Sequence, residues 1–245
     1  MKQGVFKILE NRPLTPTVHL LRLGGDASAI TKAGQFAALK AEGCFLRRPF
    51  SVHDFNAEEF SVLYKRVGRG TEKLAELTPG AALEALTGLG NGYDSTCAGG
   101  QPLLVGGGTG VSPLLALAKQ LLREGKKPAA VLGFASAEEV LGAEELAELA
   151  VPVTITTADG SRGVKGFVTD ALPERFTYVY SCGPEPMLKA LAAALPSGCR
   201  GMQVSLEARM GCGFGACMGC TCRTAEGPKR VCREGPVFTK EELQW

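Results

Sequence analysis

The sequence predicts a β barrel followed by an α/β domain with a parallel sheet and a small cysteine-rich C-terminal subdomain, over residues 1–97, 98–202 and 203–245. Three observations predict it. The first hundred residues are short apolar segments, some alternating, broken by Gly, Pro, Asn and Asp. After Cys97-Ala-Gly-Gly, strands alternate with helices. Near the end, five of the nine cysteines fall in the 21 residues from Cys212 to Cys232.

In the first part, Val5–Leu14, Val18–Gly25, Gly34–Gly43, Arg47–Phe55 and Glu59–Gly68 read as strands of a small barrel. One short helix is expected over Thr71–Leu77, with Gly70 or Thr71 near its cap. In the second part, Pro102–Val105 reads as a buried strand, and Ala129–Phe134, Val153–Thr156 and Thr177–Ser181 read as further strands. Val111–Glu124, Glu138–Leu149 and Pro186–Leu195 read as helices. That alternation implies a doubly wound sheet with helices on both faces. From Gln203 onward the chain is rich in Gly and Cys and too short to build an apolar core, so a metal centre is expected to organise it.

Composition narrows the function classes. Hydrophobic residues are 45% and charged residues 21%, and the net charge of +2 is too small for phosphate neutralisation to be the main business of the surface. Nucleic acid is therefore not expected as a partner. The first ten residues carry charges and no apolar run, so no secretory leader is expected. The uncharged stretch Ser95–Ala118 holds Pro102, Gly106 to Gly108 and Pro113, which suits a strand, loop and helix better than a membrane span. A cytoplasmic location is the expectation, and clustered thiols in a reducing compartment point to metal ligation before disulfides.

Cys212, Cys217, Cys220 and Cys232 fit Cys-x4-Cys-x2-Cys, a gap of eleven, then Cys, the ligand spacing of a plant-type [2Fe–2S] cluster. Gly211, Gly213, Gly215 and Gly219 would give the loop its turns. Cys222 is left over and competes with Cys220. A structural zinc site also takes four thiolates, but usually as two Cys-x2-Cys knuckles, and only Cys217 and Cys220 have that spacing.

Other motifs are weaker singly. Arg48-Pro49-Phe50-Ser51 offers a guanidinium to a pyrophosphate and a hydroxyl to a planar heterocycle. Tyr64 would stack on an aromatic ring, and the amides of Gly70 and Thr71 would hold phosphate oxygens. Gly106-Gly107-Gly108-Thr109-Gly110 lies between an apolar strand and a helix, the setting of a dinucleotide phosphate loop, although it is not Gly-x-Gly-x-x-Gly. Cys182-Gly183 would face the crevice at the carboxyl edge of the sheet, where a nicotinamide lies; Cys182 reads equally as a buried small apolar residue. His19 and His53, the only histidines, sit in no nucleophile motif, and Glu138–Glu139 and Glu144–Glu145 read as solvated helix faces.

Taken in order, these parts resemble the ferredoxin–NADP⁺ reductase superfamily, and within it the electron-transfer subunits of type B dihydroorotate dehydrogenases. The resemblance spans the chain. It is most specific over Glu207–Cys220 and Arg230–Phe238, and Leu89-Gly-Asn-Gly-Tyr93 matches the family's turn between its two main domains. It implies FAD held by Arg48, Pro49, Phe50 and Ser51, by Leu63, Tyr64 and Lys65, and by Gly70 and Thr71. It implies a [2Fe–2S] cluster on Cys212, Cys217, Cys220 and Cys232, and NAD(H) over Gly106 to Gly110 with Cys182 and Gly183 near the nicotinamide. It also implies an FMN-containing catalytic partner subunit, in a heterotetramer of two of each chain, and no pyrimidine site on this chain. The acidic run after Phe134 leans to NAD over NADP. Two alternatives stand beside this reading: a subunit of another flavin/iron–sulfur NAD(P)H oxidoreductase, of the ferredoxin:NADP⁺ reductase or sulfhydrogenase type, and a zinc-stabilised binding module.

Overall fold

Six strands close into an antiparallel barrel. They are β1 (Lys2–Pro13), β2 (Val18–Gly24), β3 (Phe36–Leu39), β4 (Arg48–Phe55), β5 (Glu59–Lys65) and β6 (Ala82–Leu89), with the short helix α1 (Arg69–Ala75) between the last two. In this computed structural model, which describes residues 1–245, their order round the barrel is β1-β2-β5-β4-β3-β6. Alternation builds the core: Phe6 and Ile8 of β1, Leu21 and Leu23 of β2, and Val62 and Tyr64 of β5 point inward. Each such side chain contributes about 1.5–3 kcal/mol on leaving water.

Strand β6 is absent from the sequence expectations. Its residues, Ala-Leu-Glu-Ala-Leu, favour a helix locally. Pairing on both sides, with β1 and β3, decides otherwise.

The second body is a seven-stranded sheet. Its elements are β7 (Pro102–Gly107), α2 (Ser112–Arg123), β8 (Ala129–Phe134), α3 (Ala143–Glu148), β9 (Val153–Thr157), β10 (Val164–Lys165), β11 (Tyr178–Cys182), α4 (Glu185–Ala193) and β12 (Met202–Ser205). A hairpin of β13 (Thr221–Thr224) and β14 (Gly227–Arg230) follows, and β15 (Val237–Thr239) returns to the sheet. The order is β10-β9-β8-β7-β11-β12-β15, parallel except for β15. The helix expected over Glu138–Leu149 is broken. A single 3₁₀ turn at Ala137–Glu139 precedes Gly142, whose φ of 74° ends the approach and lets α3 begin.

The segment after Gln203 is not a separate unit organised by metal alone. Strands β12 and β15 are both members of the large sheet, so the cysteine loop is an insertion between two strands of one sheet. Its underside packs on the barrel: Cys220, Val231, Cys232 and Phe238 share a buried cluster with Phe36, Ala38, Leu86 and Leu89.

Barrel and sheet meet along β4 and α2. Val18, Leu20 and Leu63 join the core of α2 and its neighbours. His53 Nδ1 lies 2.9 Å from the Ser112 carbonyl oxygen, and Lys119 Nζ lies 2.5 Å from Asp54 Oδ2.

Candidate functional site

Strand β3 sets the geometry of the site. Phe36 and Ala38 face outward onto the cysteine loop, whereas Ala37 and Leu39 face the barrel core. The antiparallel partner of Phe36 is Ser51, and that of Ala38 is Pro49. Directly opposed residues share a sheet face, so Pro49 and Ser51 look out on the side where the cysteine loop sits. The loop approaches closely, for a Cβ built on Gly213 would lie 3.9 Å from Ala38 Cβ and 3.9 Å from Phe36 Cε2.

Arg48 lies over the start of α1. A Cβ on Gly70 would fall onto its guanidinium, 2.9 Å from Cζ, so only glycine leaves the arginine its place. Arg48 Nη1 also donates to the Leu46 carbonyl at 2.6 Å, which orients the fork. Thr71 is committed elsewhere than expected. Its amide donates to the Gly68 carbonyl, and its hydroxyl accepts from the Val67 and Gly68 amides. It shapes the turn rather than presenting an amide to a phosphate.

Tyr64 also corrects the expectation. It is 1% exposed, points into the barrel, and donates its hydroxyl to Asn11 Oδ1 at 2.9 Å. Its ring cannot stack on a ligand outside the barrel, because the register of β5 turns that face inward. Leu63 is equally buried, but in the core between the two bodies. Lys65 alone of the three reaches the nucleotide crevice.

That crevice is a cavity of about 810 Å³ at the carboxyl edge of the sheet, within the range of small-molecule sites. Two sequence motifs converge there. A Cβ on Gly110 would lie 2.7 Å from Gly183 Cα, and one on Gly183 would lie 3.1 Å from Gly107 Cα. The glycine loop and the Cys182-Gly183 turn therefore touch backbone to backbone, and Gly107, Gly108 and Thr109 line the opening. Cys182 is 1% exposed and its thiol is pushed up to about 12 by burial, then by the Glu207 charge. It is a neutral, buried residue behind the cavity lining, which takes in Pro184 but neither Cys182 nor Gly183.

Sequence reasoning missed three residues at this cavity. Thr156 is fully buried and its Oγ1 has no partner, which leaves one hydroxyl to offer a ligand. Phe167 presents an aromatic ring at 70% exposure. Glu207 is exposed as a residue, yet its carboxyl end sits among walls that raise its pKa by desolvation. The unpaired hydroxyl and the exposed ring had no signal in local sequence. Of the acidic pairs read as solvated, Glu139 lines the cavity 4.0 Å from Lys65, and Glu145 bonds His53.

The cysteine loop offers sulfurs in two pairs. The Cys212 amide faces Cys217 Sγ at 3.5 Å, and the Cys232 amide faces Cys220 Sγ at 3.3 Å. The thiols do not converge as three or more on a single-ion site. A two-iron cluster asks for two thiolates per iron, which suits pairs better than a mononuclear zinc does. Burial would raise the Cys212 thiol, but the amides of Phe214, Cys217 and Ala216 outweigh it and hold it at about 6. Such a thiol is ready to ligate. Burial and the neighbouring Cys220 push Cys232 up to about 12, a cost that a bound metal removes by replacing the proton. Positive φ falls at Gly213, Gly215 and Met218, not at Gly211 or Gly219. Across the loop, Arg230 Nη1 donates to the Gly215 carbonyl at 2.6 Å while its guanidinium pairs with Glu234.

Comparison with known proteins agrees with this arrangement. Residues 207–244 match a family model described as the iron–sulfur cluster binding domain of dihydroorotate dehydrogenase B, and residues 104–193 match one for an oxidoreductase NAD-binding domain. The chain is 42% identical over 257 aligned positions to the dihydroorotate dehydrogenase B (NAD(+)) electron transfer subunit of Geobacillus sp. (strain WCH70), covering 99% of each. It is 39% identical to the corresponding subunit of Bacillus pumilus (strain SAFR-032), covering 99% of this chain and 98% of that one. The solved structure of an NADH-dependent reduced ferredoxin-NADP oxidoreductase, studied for flavin-based electron bifurcation, superposes with a TM-score of 0.88 at 29% identity. It covers 99% of this chain and 90% of that one. The chain belongs to the family of dihydroorotate dehydrogenase B (NAD(+)) electron transfer subunits.

Proposed function

We propose that this chain carries electrons from a separate FMN-containing subunit, which oxidises dihydroorotate to orotate, through its [2Fe–2S] cluster and FAD to NAD⁺. The reaction balances as dihydroorotate plus NAD⁺ giving orotate, NADH and a proton. Bound flavin would join two-electron hydride chemistry to one-electron cluster chemistry. The observation that carries the reading is the shared face of the barrel: the Pro49–Ser51 side of β4 and the cysteine loop lie on one side of β3.

The chain's own residues then divide the work. Cys212, Cys217, Cys220 and Cys232 hold the cluster, with Cys222 outside the ligand set. Arg48, seated on Gly70, binds the flavin's pyrophosphate, while Pro49, Phe50 and Ser51 and the backbone of Leu63 to Lys65 line its bed. Thr71 supports that bed by fixing the Gly68 turn. The Gly106 to Gly110 loop takes the dinucleotide phosphates, and the Cys182-Gly183 turn backs the nicotinamide end from behind the lining. Every motif assigned on this chain handles an electron carrier and none is left to act as acid or base on a pyrimidine ring, so the pyrimidine site is placed on the partner. The partner docks over the cysteine loop, where Cys217, Phe214 and Met218 are exposed, in a heterotetramer of two of each chain. The assembly works in the cytoplasm; no helix of this chain is long and apolar enough to cross a membrane.

The barrel is the flavin domain over 1–97, the nucleotide domain spans 98–202, and the cluster segment lies within 203–245. The relation to the NADH-dependent reduced ferredoxin-NADP oxidoreductase keeps a second reading in view. The higher identity to the electron transfer subunits decides for the first. Co-purification with a candidate FMN subunit, followed by an assay of dihydroorotate-dependent NAD⁺ reduction, tests it. Activity that needs both chains is the expected result, and orotate formation by this chain alone would overturn it.

A further inference from the structure

We propose that Asn91 is a positioning residue for electron exchange between flavin and cluster, clamping the Cys232-bearing segment to the end of β6 and so fixing the separation of the two centres. The inference rests on the function proposed above. Asn91 Nδ2 donates to the Glu234 carbonyl at 3.0 Å and to the Val237 carbonyl at 2.7 Å. The Val237 amide donates to Asn91 Oδ1 at 3.1 Å, and the Asn91 amide donates to the Gly235 carbonyl at 2.8 Å. Every polar group of the side chain is thus spent on residues 234–237.

The neighbours of Asn91 serve the same joint. Gly90 has a φ of 78°, and a Cβ there would lie 3.0 Å from the Gly235 carbonyl oxygen, so glycine alone lets the two segments meet. Gln35 Nε2 donates to the Gly90 carbonyl at 3.1 Å, tying the turn to the barrel. Tyr93 donates its hydroxyl to the Ser181 carbonyl at 3.0 Å, beside Cys182, tying it to the sheet. Glu234 pairs with Arg230, which holds the Gly215 carbonyl, so the clamp reaches the other side of the cysteine loop. Five residues, Leu89 to Tyr93, therefore join the flavin body, the nucleotide sheet and the cluster segment.

Asn91 is exposed and bonds only backbone. Its loss removes no apolar burial, and the packing of Phe36, Ala38 and Leu89 on Cys220 and Cys232 remains. What changes is how firmly the loop is held at one distance. Each exchange moves one electron, oxidising one centre as it reduces the other. Two exchanges with one proton make up the hydride that NAD⁺ accepts.

The test uses Asn91→Ala and Asn91→Asp in the full chain complexed with its partner. The aspartate keeps the acceptor for the Val237 amide but sets a carboxylate against two carbonyls. Iron and FAD content are measured first. Rapid mixing with NADH then follows flavin absorbance and, separately, the visible circular dichroism of the cluster. Both variants are expected to keep iron and FAD and to oxidise NADH at the parental rate, with cluster reduction slowed about tenfold, in line with the cost of small misplacements. Cluster reduction at the parental rate would overturn the proposal. So would slowing of both phases together, or loss of iron or FAD from both variants, which marks a folding role instead. A parental chain that binds neither FAD nor iron would instead sink the underlying function, before any variant is made.

Discussion

Cys220 and Cys222 stand two residues apart, yet the fold gives them different surroundings. Cys220 is buried at 3% exposure and its sulfur faces the Cys232 amide. Cys222 lies on β13 opposite Lys229, half-buried, with its thiol pushed up by burial and then by Cys220. Cys220→Ser is expected to lose iron and the visible bands, and Cys222→Ser to keep both; the reverse pattern in an iron and acid-labile sulfide assay would reassign the ligand. Gly70→Ala pushes a methyl into the Arg48 guanidinium. Losing one charge-assisted contact of about 1.5–3 kcal/mol should weaken FAD binding by about 10- to 100-fold, read by flavin fluorescence on titration. The iron–sulfur segment was legible from cysteine spacing because thiolates around a cluster are a local constraint. The role of Tyr64 was not, because a strand's inward face is fixed by its register with distant strands.

At the scale of elements, β4 and α3 are joined through His53 and Glu145. With Nδ1–H donated to the Ser112 carbonyl, the 3.2 Å contact from Nε2 to Glu145 Oε1 carries a second proton only when the ring is imidazolium. The hydrogen bond from His53 lowers the Glu145 pKa. A depressed carboxyl contributes its full stability above the unfolded value of about 4.3 and loses it as pH falls through the lower folded value. The carboxylate side chain is 39% exposed, so screening holds the contribution to less than about 1 kcal/mol. Glu145→Gln should therefore lower the urea midpoint only where the carboxylate and the doubly protonated ring coexist, with the gap to the parent closing in acid as the carboxyl takes up its proton. A gap independent of pH would reject the pairing. Sequence reasoning placed Glu145 on a solvated helix face, since nothing local announces a partner 92 residues away. It found β7, β8 and β11 because buried parallel strands are continuous apolar runs, and β9 from the alternation of Val153 and Ile155 with threonines. It missed β6 because a local preference for helix was overridden by pairing on both edges.

At the scale of the molecule, two routes meet on one barrel face, and they can be separated. The nucleotide cavity opens between β5 and the sheet through Lys65, Gly107 and Glu207, without the cysteine loop. The loop reaches the barrel from the other side of the Leu89–Tyr93 turn, through Phe36, Ala38, Leu86 and Leu89. Removing the cluster should leave the nucleotide route standing, because β12 and β15 are tied to the sheet by backbone pairing and do not need the metal. Cys217→Ser is the mild choice, since Cys217 is exposed whereas Cys220 and Cys232 are buried in the packing against β3 and β6. That variant, assembled with its partner, is expected to oxidise NADH with ferricyanide at close to the parental rate. Its dihydroorotate-dependent NAD⁺ reduction should fall by a factor of at least about 100, the scale on which losing a correctly placed reaction partner acts. Equal loss of both activities would mean that the cluster holds the fold together rather than carrying charge. Undiminished transfer from dihydroorotate would mean that electrons enter this chain by a path that bypasses the cysteine loop.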